Sequence, residues 1–148
     1  MSKKFPLQTL LDLSQNRLDD AARQLGELMT SEKEASQRLE LLTQYRIEYH
    51  GRFLEAARNG VSQDQWRNFQ GFLARLDTAI AQAQNAVTQS KQRTAQGQKH
   101  WLEKRGEVKA YDTLSDRFAQ RQAYAESKHE QKAMDEHSAR QFQQNRYN

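Results

Sequence analysis

Apolar residues recur over the first 58 residues in alternating steps of four and three. The series is Leu7, Leu11, Ser14, Leu18, Ala21, Leu25, Leu28, Glu32, Ala35, Leu39, Leu42, Arg46, Tyr49, Phe53 and Ala56, and 12 of its 15 positions are apolar. A period of 3.5 held over seven heptads marks a coiled-coil seam and not only an amphipathic helix. Seven heptads of helix reach about 75–80 Å. A second series follows: Trp66, Phe69, Leu73, Leu76, Ile80, Ala83, Val87, Ser90, Thr94, Gly97, Trp101, Lys104, Val108, Tyr111, Ser115, Phe118, Gln122 and Ala125. Twelve of these 18 positions are apolar. The seam is strong near its start and thins from Ser90 to Gly97, where small residues are expected to face Leu25 and Leu28 in a looser pairing. An alternative register places Leu114 on the seam in place of Ser115.

The two series are separated by the one convincing helix break, Asn59-Gly60-Val61. Asn and Gly both tolerate the left-handed conformation that ends a helix. Ser62 and Gln65 have the spacing of a capping box for a new helix. A connection of three residues folds two helices back antiparallel. The predicted fold is all-α: one antiparallel two-helix coiled-coil hairpin over residues 1–148, with helix 1 at about 6–58, a turn at 59–61 and helix 2 at about 62–140. Pairing across the turn sets residue i opposite roughly 120 − i, so Phe53 meets Trp66 or Phe69. Helix 1 ends opposite about Leu114, which leaves 115–148 as a C-terminal helical overhang. That overhang contains little apolar material (Phe118, Tyr124, Met134, Phe142, Tyr147). An unsupported helix is marginal in water, so part of it is expected to be disordered when alone and to order on binding.

Two stripes widen the seam. Leu42, Tyr45 and Tyr49 follow i, i+3, i+7, and Phe72, Leu76, Ala79 and Ala83 follow i, i+4, i+7, i+11. The pairing rule sets them side by side. A two-helix seam buries only a narrow strip, so Tyr45, Phe72 and Ala79 either shield its flank or leave an aromatic patch open to a partner.

Composition fits this picture. Hydrophobic residues make up 36 %, charged residues 28 %, and the mean hydropathy is −1.09. There is one proline, Pro6, suited to a first helical turn, and six glycines. Cysteine is absent, which excludes disulfides and thiolate metal sites. No apolar run is long enough to span a membrane, and Met1–Pro6 has no apolar stretch behind its lysines to form a secretory signal. The charge is uneven. Residues 1–90 carry 11 basic and 11 acidic residues, and residues 91–148 carry 12 and 8. The second half is either an ordinary solvated face or a docking element for an acidic surface.

Catalytic chemistry is missing. His50, His100, His129 and His137 are scattered, and His129-Glu130 lacks the second histidine of a helical zinc motif. There is no Gly-rich phosphate loop and no nucleophile–base arrangement, so no enzyme and no cofactor is expected. Basic residues alternate with acids and form no nucleic-acid module, so no nucleic-acid partner is expected either.

The residue pattern resembles the FliJ family of the flagellar type III export apparatus over essentially the full length. The resemblance rests on Leu7-x-x-Leu10-x-x-Leu13, Asp20-Ala21-Ala22-Arg23 with Leu25-Gly26-Glu27, and Leu39-x-x-Leu42-x-x-Tyr45-x-x-x-Tyr49. It continues through Asn59-Gly60 with Trp66, Phe72-x-x-x-Leu76-x-x-Ala79-Ile80, Trp101-x-Glu103-Lys104 and Gln131-Lys132-x-Met134-Asp135-Glu136. The resemblance implies a non-enzymatic coiled coil similar to the central stalk of rotary ATP synthases. It implies a protein that promotes ring assembly of the export ATPase FliI, contacts the cytoplasmic domain of the export gate FlhA, and helps recycle export chaperones. It places gate binding on Phe72, Leu76 and Ala79 beside Leu42, Tyr45 and Tyr49. The family has a histidine four residues after Ala79, where this chain has Ala83. ATPase contact falls on the two helix ends, at Leu7, Leu11 and Arg23 and at Arg117, Arg121, Lys132, Asp135 and Glu136. The expected location is the cytoplasm at the flagellar base, peripheral to the inner membrane, as a monomer when alone. Two alternatives share the architecture: an injectisome stalk, and a homo-oligomeric structural coiled coil.

Overall fold

The protein was analysed as a computed structural model that describes residues 3–147, with side chains through Arg146. Met1, Ser2, Asn148 and the side chain of Tyr147, named above, lie outside the described residues. Two helices account for nearly all of it: α1, Gln8–Arg58, of 51 residues, and α2, Gln63–Tyr147, of 85. Among the described residues there is no strand.

Each helix end has a local cause. Pro6 and Leu7 form a turn before α1, in which the Gln8 amide donates to the Phe5 carbonyl at 3.1 Å. Pro6 therefore sits two residues ahead of the helix, where its missing N–H costs nothing. At the other end of α1, the amides of Asn59 and Gly60 donate to the carbonyls of Ala56 and Ala57 at 3.1 and 3.2 Å. Gly60 has φ of 87°, the left-handed conformation that closes the helix. α2 opens with a reciprocal capping box. The Gln65 amide donates to Ser62 Oγ at 3.2 Å, and the Ser62 amide donates to Gln65 Oε1 at 3.0 Å. α2 then runs to Tyr147, past the end expected near residue 140.

The chain forms two compact units, residues 20–102 and residues 3–19 with 103–147. Inside each unit the helices pack antiparallel. In the first, Phe53 meets both Trp66 (4.9 Å) and Phe69 (4.7 Å), and Tyr45 meets Phe72 (6.1 Å). Farther along the same unit, Arg46 meets Asp77 and Leu28 meets Thr94. The Arg46–Asp77 and Leu28–Thr94 partners lie three and two residues farther along α2 than 120 − i. In the second unit Phe5 meets Phe118 at 5.7 Å.

The heptad series predicts burial closely. All 15 positions of the first series are buried or half-buried, and no other residue of α1 is. In α2, 16 of the 18 positions are covered, along with Gly71, Phe72 and Ala79 at the flank. The exceptions are Trp66, 45 % exposed at the turn, and Ala125. The core is thin: Leu11, Ser14, Ala21, Phe53, Leu76, Ala83 and Val108 are the buried residues. Ser14 is satisfied locally, donating to the Leu11 carbonyl at 2.7 Å.

Two expectations are corrected. Ser115 is half-buried and Leu114 is 38 % exposed, so the register does not shift to Leu114. The Ser90–Gly97 stretch is also close and not loose. A Cβ at Gly97 would lie 2.6 Å from Leu28 Cδ1, and Thr94 Oγ1, which donates to the Ser90 carbonyl at 3.0 Å, lies 3.4 Å from the Leu28 carbonyl across the seam. The small residues admit the Leu28 side chain as a knob.

These close points set the response to mutation. Gly97→Leu should destabilise the hairpin by about 1–3 kcal/mol through overpacking. Gly60→Ala should cost about 1–2 kcal/mol because the turn holds a left-handed residue. Thermal unfolding followed by circular dichroism checks both, and an unchanged midpoint for Gly97→Leu would contradict the close approach.

Candidate interaction surface

Near the turn the seam becomes a ladder of rings packed at tilted and edge-on angles. Tyr45 contacts Tyr49 (6.4 Å) and sits edge-on to Phe72, while Tyr49 contacts Phe72 (4.4 Å) and Phe69 (5.3 Å). The ladder continues through Phe53 to Trp66. In heptad terms Tyr49, Phe53, Phe69 and Trp66 occupy seam positions. Tyr45 and Phe72 stand one step outside, on the same side of the seam.

The six residues assigned to gate binding separate by exposure. Leu76 is 7 % exposed and belongs to the core, so it offers a partner almost no surface. Leu42, Tyr49, Phe72 and Ala79 are half-buried, and Tyr45 is 44 % exposed. The accessible patch is therefore Tyr45 with the edges of Phe72 and Ala79. Ala83, at the family's histidine position, is 7 % exposed and also belongs to the seam. Sequence reasoning missed Leu41, which lies one turn before Tyr45 and is 71 % exposed. It escaped because it falls off the seam period; its i, i+4 spacing to Tyr45 was the available signal. Arg38 and Arg52 lie one heptad to either side of Tyr45, and Glu34 and Glu48 sit four residues before them. The rim of the patch thus alternates in sign.

The opposite flank is polar. Arg46 occupies a seam position, and its guanidinium reaches Asp77 through Nε to Oδ1 and through Nη2 to Oδ2 at 3.5 Å. The hydrogen bond it donates, and then the Asp77 charge, raise its pKa above the ordinary arginine value. An exposed pair contributes little stability but disfavours slipped registers, as polar seam residues do.

The residues assigned to ATPase contact do not form one cluster. Leu11 is 6 % exposed and packs in the seam, and Leu7 is half-buried. Arg23 is exposed, pairs with Asp20 at 3.4 Å, and belongs to the 20–102 unit. Arg117, Arg121, Lys132, Asp135 and Glu136 lie exposed on α2 in the other unit. Every residue from Ala123 to Arg146 is exposed, including Tyr124, Met134 and Phe142 at about 70 % each. The positive charge does not belong mainly to this stretch. Residues 91–114 hold six basic and three acidic residues, and residues 115–148 hold six and five. A docking element defined by net charge therefore does not describe the overhang.

Among the described residues no cluster of His, Asp and Glu could hold a metal ion. Among the same described residues, no helix is long and apolar enough to cross a membrane.

Comparison with known proteins finds one family over nearly the whole chain. Residues 2–147 match the model of a family described as flagellar FliJ protein. The chain is 36 % identical to the flagellar FliJ protein of Salmonella typhi over 140 residues, 95 % of each chain. It is 32 % identical to that of Escherichia coli K12, again over 95 % of each. It is 26 % identical to that of Bacillus subtilis over 96 % of this chain and 97 % of the relative.

Burial separates the roles of neighbouring residues. Leu76→Ala should cost about 2–5 kcal/mol, as expected for a buried leucine, whereas Tyr45→Ala should lower the unfolding midpoint much less. Chemical denaturation of the two variants tests this, and equal losses would mean that Tyr45 is as structural as Leu76.

Proposed function

Because the chain belongs to the FliJ family, a component of flagellar protein export, we propose that it is a non-catalytic coupling protein between the export ATPase FliI and the export gate FlhA. The match across residues 2–147 carries this reading. In it, the patch of Tyr45, Phe72 and Ala79, with Leu41 beside it, binds the cytoplasmic domain of the gate. The aromatic content of the patch supports this, since tyrosine and other aromatic anchors dominate binding energy at protein interfaces. The terminal segments, from Leu7 and from Leu114 onward, engage the ATPase and promote its ring assembly. The exposed helix from Ala123 to Arg146 supports this part: a lone helix is marginal in water and gains most from a partner that covers it. Its alternating charges suit a surface of mixed sign better than a uniformly acidic one. We further place the protein in the cytoplasm at the flagellar base, peripheral to the inner membrane, and give it a role in returning empty export chaperones. The matched family is flagellar, which favours this reading over an injectisome stalk.

The two contacts lie on different units, so they should separate by mutation. Tyr45→Ala with Phe72→Ala should weaken binding to the purified gate domain by tenfold or more, about 1.4 kcal/mol or greater, and leave ATPase stimulation unchanged. Truncation after Leu114 should abolish stimulation and ring formation and leave gate binding in place. Loss of both activities in either variant, with helicity unchanged, would refute the two-contact arrangement.

A further inference from the structure

The turn that joins the helices contains a chemically unstable dipeptide. Five asparagines fall within the described residues. Asn16, Asn68, Asn85 and Asn145 lie inside helices and precede Arg, Phe, Ala and Arg. Asn59 alone lies outside a helix, and it alone precedes glycine. We propose that Asn59 is a site of spontaneous deamidation, and that the reaction ages the hairpin at its turn.

The step is an intramolecular acyl transfer. The deprotonated backbone nitrogen of Gly60 attacks Cγ of the Asn59 carboxamide. The N–Cγ bond forms, the Cγ–Nδ2 bond breaks, and ammonia leaves with the proton that Gly60 gave up. Water then opens the resulting five-membered succinimide. Attack at the side-chain carbonyl leaves an ordinary aspartate, and attack at the main-chain carbonyl leaves an isoaspartate linked through its β-carbon. One ammonia is lost, one water is gained, and nothing is oxidised or reduced.

The structure favours the reaction here in three ways. Asn59 and Gly60 are both exposed, so base and water reach them. Gly60 presents no side chain to obstruct the approach, and nothing lies within 4 Å of the position a Cβ would take. Asn59 lies one residue past the end of α1, whereas the other four sites sit inside helices, whose continuing turns hold the next backbone nitrogen away from the side chain. One contact opposes it: the Gly60 amide donates to the Ala57 carbonyl at 3.2 Å. This is a single bond at the end of a helix, and such bonds open readily by fraying.

Both products act on the turn. Aspartate puts a negative charge at the C-terminus of α1, where the helix dipole is already negative. Isoaspartate adds a methylene to the main chain between Arg58 and Gly60, which displaces the Gly60 amide from Ala57. That change falls six residues from Phe53 and seven from Trp66, the first ring pair of the seam.

The test uses the full chain, incubated folded at mildly alkaline pH beside an Asn59→Ser control and beside the same chain in concentrated urea. Peptide mass mapping should show the amide-to-acid mass change at Asn59 and not at Asn16, Asn68 or Asn85. Isoaspartyl methyltransferase should label the aged wild type and not the Asn59→Ser control. The aged wild type should unfold at a midpoint lower by about 2–4 °C, corresponding to a loss near that of a helix cap, while the aged control should not shift. Retention of the Asn59 amide in the folded chain, with its loss in urea, would overturn the proposal by showing that the turn shields the site. Conversion at Asn59 with no shift in midpoint would overturn the claim that it ages the hairpin.

Discussion

A hairpin of two helices has one strip of contact and no second layer behind it. Each helix can bury only the side chains at its two inward heptad positions, and here they rarely become fully covered: Phe53, Leu76 and Ala83 retain 6–7 % exposure. Stability is thus the sum of many half-buried contacts, none dominant. That is why the local details of the turn matter. The left-handed Gly60 and the reciprocal Ser62–Gln65 cap fix the direction in which α2 leaves, and with it which residue of α2 meets each ring of α1.

The same constraint explains what could be read from the chain alone. In a seam this narrow, heptad position is nearly equivalent to burial, so listing Leu11, Ala21, Phe53, Leu76 and Val108 by period amounted to naming the core. Period reports which face a residue occupies, however, and not how closely the facing backbone approaches. Ser90, Thr94 and Gly97 therefore looked weak as seam residues. What compensates is a knob from the other helix, Leu28, and no pattern local to α2 encodes it. At Leu114 and Ser115 the period favoured the serine and hydrophobicity offered the leucine as an alternative; position outweighed hydrophobicity and the serine went inward.

The candidate surface was less legible for a related reason. A residue type can serve the core or a partner, and sequence does not distinguish the two uses. Leu76 has the chemistry of a binding residue but lies buried in the seam, whereas Leu41 is exposed. Tyr45 lies between the two, since its ring packs on Phe72 while nearly half of its surface stays open. A charge total was misleading in a different way. The excess of positive residues in the second half is real, but most of it resides between 91 and 114, and the exposed stretch beyond is nearly balanced. Counting over a long window merged two regions with different surroundings.

That balance bears on how the exposed helix can recognise anything. A uniformly basic helix would be drawn to any acidic surface and would be screened by salt. A helix with alternating signs gains little from long-range attraction, so its selectivity must come from matching charges one against one at contact. Matching of that kind depends on the helix being straight and in phase, because each turn advances the side chains by a fixed angle. Helical order in residues 123–146 is then the template that sets the spacing of Lys128, Lys132, Asp135 and Glu136, and in the proposed contact a partner would read the pattern that this order fixes.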